Sequence, residues 1–349
     1  MAFTTISKHT DYFNTVLYTG NGSTQSITGV GHQPDFTWIK NRSTTHDHIL
    51  TDVVRGVTKD LRSNNTDAEA TDSNGLTAFG TDGFTVGSKV NINNNGSNIV
   101  SWNWKAGGGQ GSANTDGTIN TTYTSANTTS GFSIIKYTGT GSNGTVGHGL
   151  GVAPKMVIVK VLDNANDWMV GHEGADATNP WHKYCYLNGA SVVEDAATFW
   201  NDTAPTSSVV SLGTHSYVNY SGRNYIMYAF ADKVGFSQIG RYYGTGSATN
   251  GPFISTTFKP QFVLFKRTTG SAGDWQLWDT KRDPFNPTEK AIHPNASGGA
   301  STDQDIDILS NGFKIRSDQG HLNADGVWFL YMAFGQSLVG SNNTPCTAR

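Results

Sequence analysis

A chain of 349 residues with 41 glycines, 15% charged and 36% hydrophobic residues is too poor in helix-forming surface residues to be a long helical protein. Nine Trp, 13 Tyr and 17 Phe exclude simple disorder, which lacks such anchors. A formal charge of −3, with no basic stripe, excludes binding to nucleic acid through phosphate neutralisation.

Residues 1–11 carry neither a basic segment nor an apolar one, so no signal peptide is expected. They read as a docking arm or a frayed terminus. The longest apolar stretches, Tyr225–Ala231 and Val327–Phe334, fall well short of the roughly 18 residues that span a bilayer, and no membrane insertion is expected. Cys185 and Cys346 suit neither a disulfide framework nor a metal site.

From residue 12 onwards one pattern recurs three times. Tyr18-Thr19-Gly20-Asn21-Gly22-Ser23 returns as Tyr137-Thr138-Gly139-Thr140-Gly141-Ser142 and as Tyr242-Tyr243-Gly244-Thr245-Gly246-Ser247. A proline then precedes an apolar run that ends in lysine: Pro34 to Lys40, Pro154 to Lys160, Pro260 to Lys266. Such a run reads as a core strand with Pro at its edge. Each repeat closes on an aromatic strand, at 99–104, 225–230 and 329–334.

The pattern divides the chain into an arm (1–11), three repeats (12–107, 131–234 and 235–340) and a tail (341–349). Each repeat has the length of one β-sandwich, so the expected architecture is all-β, with three tandem concanavalin- or jelly-roll-like sandwich domains. Residues 108–130, rich in Gly, Ser, Thr and Asn, read as a flexible linker or extended arm. Repeats two and three are joined so closely that they must touch. A short helical turn is expected within Val193–Trp200.

Between these strands lies a second shared position: Asp47-His48, Asp167-Trp168 and Asp274-Trp275. An aromatic ring beside a carboxylate is the local chemistry of a sugar site, with the ring stacking on pyranose C–H groups and Asp accepting from hydroxyls. The alternative is a core Trp preceded by a turn Asp. Asp52, Glu173 and Asp279 follow, with Arg55 and Arg282 three residues after the first and last; such a pair pins a loop.

The remaining motifs are incomplete. Gly139 to Gly144 spells G-x-G-x-x-G, but no helix can open after it, so it reads as a hairpin turn. Asp303, Asp305 and Asp307 alternate like calcium ligands, yet the later glycine and glutamate are missing. Glu173 and Asp176, near His172, Trp181 and His182, supply two carboxylates without a readable nucleophile–base pair. No catalytic residue, metal or cofactor is expected.

Several blocks resemble a family of virion structural proteins of tailed phages, especially phages of marine bacteria and cyanobacteria. They are Asp11 to Gly29, Pro34 to Ser43, Trp102 to Gly108, Val146 to Lys160 and Trp278 to Phe285. The resemblance runs from about residue 10 to 336. It implies lectin-like sandwiches on a phage particle, tail fibre or tail-associated, assembled in the host cytoplasm. The implied partners are other virion proteins, a homo-oligomer with a trimer favoured, and host-surface polysaccharide. The alternative is a capsid decoration or tail adaptor without a ligand. The family carries no defined set of site residues.

Overall fold

The apolar runs read as continuous because their side chains alternate between two cores, one on each face of the sheet. A computed structural model describes residues 4–302 and 305–339. Strands make up 41% of it and helix 7%, in several antiparallel sheets, so the fold is all-β.

Repeat one places Phe13–Thr19, Asn98–Trp104, Phe36–Asn41 and Ile49–Asp52 side by side in that spatial order. Repeat three does the same with Ser237–Tyr243, Trp328–Ser337, Phe258–Arg267 and Gln276–Asp279. Repeat two sets Phe132–Thr138, Asn224–Phe230, Met156–Val161 and Met169–His172 in the same order and extends this sheet at both ends. A smaller sheet faces each: Gln25–Thr28, Gly83–Val86 and Leu76–Gly80 in repeat one, Gly144–Gly147 with Val209–Leu212 in repeat two, and Phe253–Ser255, Gly312–Ile315 and Ile306–Leu309 in repeat three.

Each repeat therefore has its own sandwich core. Ile39, Ile49, Ile99 and Phe84 fill the first, Val157, Val159 and Met227 belong to the second, and Val263, Phe265 and Phe313 to the third. The alternate residues point the other way, into one core common to all three repeats: Trp38 and Trp102, Ile158 and Tyr228, Leu264 and Met332. At its centre Trp104, Phe230 and Phe334 occupy equivalent register positions on the closing strands. Their ring centroids form a triangle with sides of 6.4, 5.8 and 6.0 Å. The repeats are thus arranged around a shared centre, each touching the other two.

The shared tyrosine–glycine motif builds the same corner each time. The hydroxyls of Tyr18, Tyr137 and Tyr242 donate to the carbonyls of Ile92, Val218 and Leu322 at 2.6–2.8 Å. These lie in one-turn helices, Val90–Asn93, Ser216–Asn219 and Gly320–Asn323. The buried asparagine ending each helix holds the glycine turn: Asn93 accepts from the Asn21 N–H, Asn219 from Thr140 and Asn323 from Thr245. A Cβ on Gly20, Gly139 or Gly244 would sit only 2.2–2.4 Å from a carbonyl oxygen of the segment after that helix, which is why glycine stands there. The G-x-G-x-x-G stretch is one of these turns.

Two expectations need correction. Residues 108–130 are no free linker: Thr121–Asn127 pairs antiparallel with Phe132–Thr138 as a strand of repeat two's sheet, and the Gly107 N–H donates to Ser125 Oγ. Thr and Ser, frequent in flexible linkers, also suit a strand whose outer face meets water. The arm is not frayed over its described residues either. Ile6 is buried in the shared core, Thr4 Oγ1 donates to the Val234 carbonyl, and the His9 N–H donates to Gln336 Oε1. It ties repeat one to the end of repeat two and to repeat three.

The helical turn expected within Val193–Trp200 is Ala197–Trp200. Asp303, Cys346 and the tail at 341–349 lie outside the described residues. Asp307, within the strand Ile306–Leu309, pairs with Arg316 at 3.4 Å, and among the described residues no three metal-ligating side chains converge.

Candidate functional site

The Asp–His/Trp positions are equivalent in space, but their rings face the protein. His48, Trp168 and Trp275 are 0%, 0% and 1% exposed. Each reaches out of its own repeat to a backbone carbonyl of another. Trp168 Nε1 donates to Arg62 O at 2.8 Å, Trp275 Nε1 to Tyr186 O at 2.8 Å, and His48 Nε2 to His293 O at 3.2 Å. His48 Nδ1 accepts from Trp38 Nε1, which leaves the proton on Nε2. The contacts run from repeat two to one, three to two and one to three, and so close a ring.

The preceding aspartates position these rings. Asn64, Asn188 and Asn295 each donate from Nδ2 to Asp47, Asp167 and Asp274, at 2.7, 2.7 and 2.6 Å. Their Oδ1 atoms accept the backbone N–H of His48, Trp168 and Trp275. A ring without an exposed face cannot stack on a sugar, so the three rings act as staples between repeats and the three aspartates hold them in place. The asparagines escaped the sequence reading: Asn188 and Asn295 each lie 20 residues after their ring, but Asn64 lies 16 after His48.

A second ring runs in the opposite sense. Asp52 Oδ2 accepts from Tyr228 Oη at 2.8 Å, from repeat one to two. Asp279 Oδ2 accepts from Trp102 Nε1 at 3.0 Å, from three to one. Arg55 and Arg282 hold these carboxylates through Nε at 2.5 Å. The strand register puts His172, and not Glu173, in the equivalent place of repeat two. Its Nδ1 accepts from the Gly174 N–H, and its Nε2 donates to Tyr331 O at 3.2 Å, from two to three. The lysines that end the core strands add a third set. Lys40, Lys160 and Lys266 are buried, and their Nζ atoms donate to Ser297 O, Thr66 O and Gly189 O of neighbouring repeats.

With these residues consumed by the architecture, the place to look for function is where the threefold pattern breaks at the surface. On the first and closing strands, the cross-strand pair at one end is Thr19 with Asn98 in repeat one and Thr138 with Asn224 in repeat two. In repeat three it is Tyr243 with Trp328. These rings are 49% and 39% exposed and meet edge to face, 5.0 Å between centroids. The fold does not require them, because the other two repeats build the same corner with Thr and Asn. Arg241, on the same face of the strand as Tyr243, lays its guanidinium over the Trp328 ring, 4.2 Å from the centroid. Its counterparts are Leu17 and Lys136.

Arg241 also lines a cleft of about 410 Å³ between repeats two and three, bounded by Lys155, Glu173, Asp176, Pro180 and Ile239. A family model, that of a domain of unknown function, DUF7483, matches residues 8–337. The chain belongs to the DUF7483 family. No curated protein matches it, and no solved structure does.

In this DUF7483 chain the carboxylates of the cleft are occupied. Lys155 bridges Glu173 at 3.4 Å and Asp232 at 3.2 Å. Asp176 Oδ1 accepts from the N–H groups of Thr178 and Asn179 and from the Thr178 hydroxyl, which pushes its carboxyl down to about 2. An acid ionised across the whole neutral range cannot serve as a general acid. Trp181 is buried against Trp200, and His182 Nδ1 lies 2.5 Å from Asp202 Oδ1. Burial pushes the Cys185 thiol up to about 12, so it is not a nucleophile at neutral pH.

Proposed function

We propose that this protein is a non-enzymatic structural component of a tailed-phage virion, tail fibre or tail-associated, that attaches the particle to host-surface glycan through Arg241, Tyr243 and Trp328. The observation that carries the glycan part is the exchange of an exposed Thr–Asn pair for an exposed Tyr–Trp pair in one repeat of three. Large rings held half out of water offer apolar faces and edges to a sugar, and the cleft beside them gives it a concave wall.

The virion part is supported by the sequence blocks that resemble phage structural proteins. It is also supported by the construction itself. Three sandwiches locked by rings of buried hydrogen bonds make a stiff body that presents one distinctive corner. Assembly would take place in the host cytoplasm, alongside other virion proteins.

The test is saturable binding of the purified chain to host cells or their extracted surface polysaccharide. The Tyr243→Thr/Trp328→Asn double variant restores the pair of the other repeats, and should abolish binding while leaving the melting temperature within a few degrees. Absence of saturable binding by the wild type refutes the glycan reading. Imaging of the particle by cryo-EM with the protein absent refutes the virion reading.

A further inference from the structure

We infer that the Arg241–Tyr243–Trp328 corner recognises an anionic sugar, one carrying a carboxylate or phosphate group, with Arg241 as the residue that selects it. The inference rests on the glycan reading above and adds a ligand class to it.

Most of the other described arginines are engaged by carboxylates or carbonyls. Arg55, Arg62, Arg223, Arg282 and Arg316 each pair with a carboxylate, Arg267 donates to the carbonyls of Thr269 and Gly320, and Arg42 has no carboxylate partner among the described residues. Arg241 has no carboxylate or carbonyl partner among the described residues, although it is half-buried and its guanidinium is held over Trp328. A stacked guanidinium keeps its N–H edges open and its plane fixed, which is the preorganised fork that carboxylate and phosphate groups engage with two parallel hydrogen bonds.

The charges around it point the same way. The one other cation lining the cleft, Lys155, is spent on Glu173 and Asp232. Glu173 and Asp176 also line the cleft and repel an anion, which confines an acidic group to the Trp328 side of Arg241. Among the described residues, Arg241 is the cation of the cleft without a carboxylate partner. A ligand that placed its acidic group on Arg241 would lay its ring against Tyr243, two residues along the same strand face. Repeat one, with Leu17 at the Arg241 position and Thr19 with Asn98 beside it, offers neither element.

The experiment is titration calorimetry of the full chain against three probes: an oligogalacturonate, the same oligomer with its carboxyls reduced to alcohols, and a phosphorylated lipopolysaccharide core before and after phosphatase treatment. The expected result is binding of one anionic probe, weakened about tenfold or more by carboxyl reduction or dephosphorylation, as for loss of one charge-assisted pair. Arg241→Gln should weaken it by a similar factor with an unchanged melting temperature, and Arg241→Lys should recover only part. Whichever probe responds identifies carboxylate or phosphate as the source. Equal binding of the charged and neutral forms, unaffected by Arg241→Gln but lost in the Tyr243→Thr/Trp328→Asn variant, overturns the anion inference while the glycan reading stands. No binding of any probe or of host polysaccharide overturns both.

Discussion

The indole N–H of Trp168 donates to the carbonyl of Arg62 at 2.8 Å, across the boundary between repeats two and one. Trp275 repeats the contact on Tyr186, but in repeat one the equivalent residue is the smaller His48. The volume lost there returns one strand away. Trp38 stands where the other repeats have Ile158 and Leu264, and its indole N–H bonds His48 Nδ1. Repeat one thus exchanges a small and a large residue for a large and a small one.

This exchange gives a sharp expectation. His48→Trp alone overfills the shared core and should destabilise the protein by about 1–3 kcal/mol. Trp38→Ile alone leaves a cavity and an unpaired His48 nitrogen, and should be destabilising too. The double variant recreates the arrangement of repeat two and should recover much of the loss, with a coupling of about 0.5–3 kcal/mol in denaturant unfolding. Strict additivity would refute the exchange.

Much of this was legible in the sequence, and the limits have physical causes. The glycine turns and aromatic closing strands mark three similar units because each unit must solve the same local problem. Whether such units hang in a row or share a core is a matter of what the second face of each sheet meets. The signal for sharing was present in the unbroken apolar runs, since a lone sandwich exposes one face of each sheet and would alternate. Glu173 aligned with Asp52 and Asp279 by charge, whereas strand register selects His172, so chemical likeness misled where geometry decides. The corner at Tyr243 and Trp328 was missed because its strands looked like ordinary repeats; only the Thr–Asn pairs opposite reveal the departure.

The buried lysines set a pH dependence. Burial pushes Lys40, Lys160 and Lys266 down to about 8, from 10.5 for a free side chain. Between pH 8 and 10.5 these three groups therefore hold more protons in the unfolded chain than in the native one, so their contribution to stability rises with pH across that window. Folding at pH 9 should release protons, measurable as a buffer-dependent enthalpy in calorimetry. Replacement of all three by Met should remove most of that release. An unchanged release would place the titration on other groups.

Acid should act through the histidines. Burial holds His172 and His32 down at about 4, against 6.5 when free. Both are neutral in the native protein, while the unfolded chain is protonated below 6.5; stability is lost as pH falls from about 6.5 towards 4. His172→Gln keeps an acceptor for Gly174 and a donor for Tyr331 without a titrating group. Its denaturant midpoint should fall less than that of the wild type between pH 7 and 5. Parallel loss in the two proteins would exclude His172 as a source.

The segment between repeats one and two offers the last test, because its composition and its structure argue for opposite outcomes. A free Gly/Ser/Thr/Asn linker is cut readily by proteases and tolerates replacement. Here Thr121–Asn127 pairs with Phe132–Thr138, Ser125 Oγ receives the Gly107 N–H, and Asn127 Nδ2 donates to Ala106 O. The strand covers an edge that would otherwise expose unpaired backbone groups. Limited proteolysis of the native chain should therefore leave Thr121–Asn127 intact, since local opening must precede cleavage. Replacing Thr121–Asn127 with Gly-Ser repeats of equal length should lower the melting temperature by several degrees, as lost ladder hydrogen bonds and side-chain packing require. Rapid cleavage within Thr121–Asn127, with an unshifted melting temperature in the Gly-Ser variant, would show that the strand contributes nothing to holding the three repeats together.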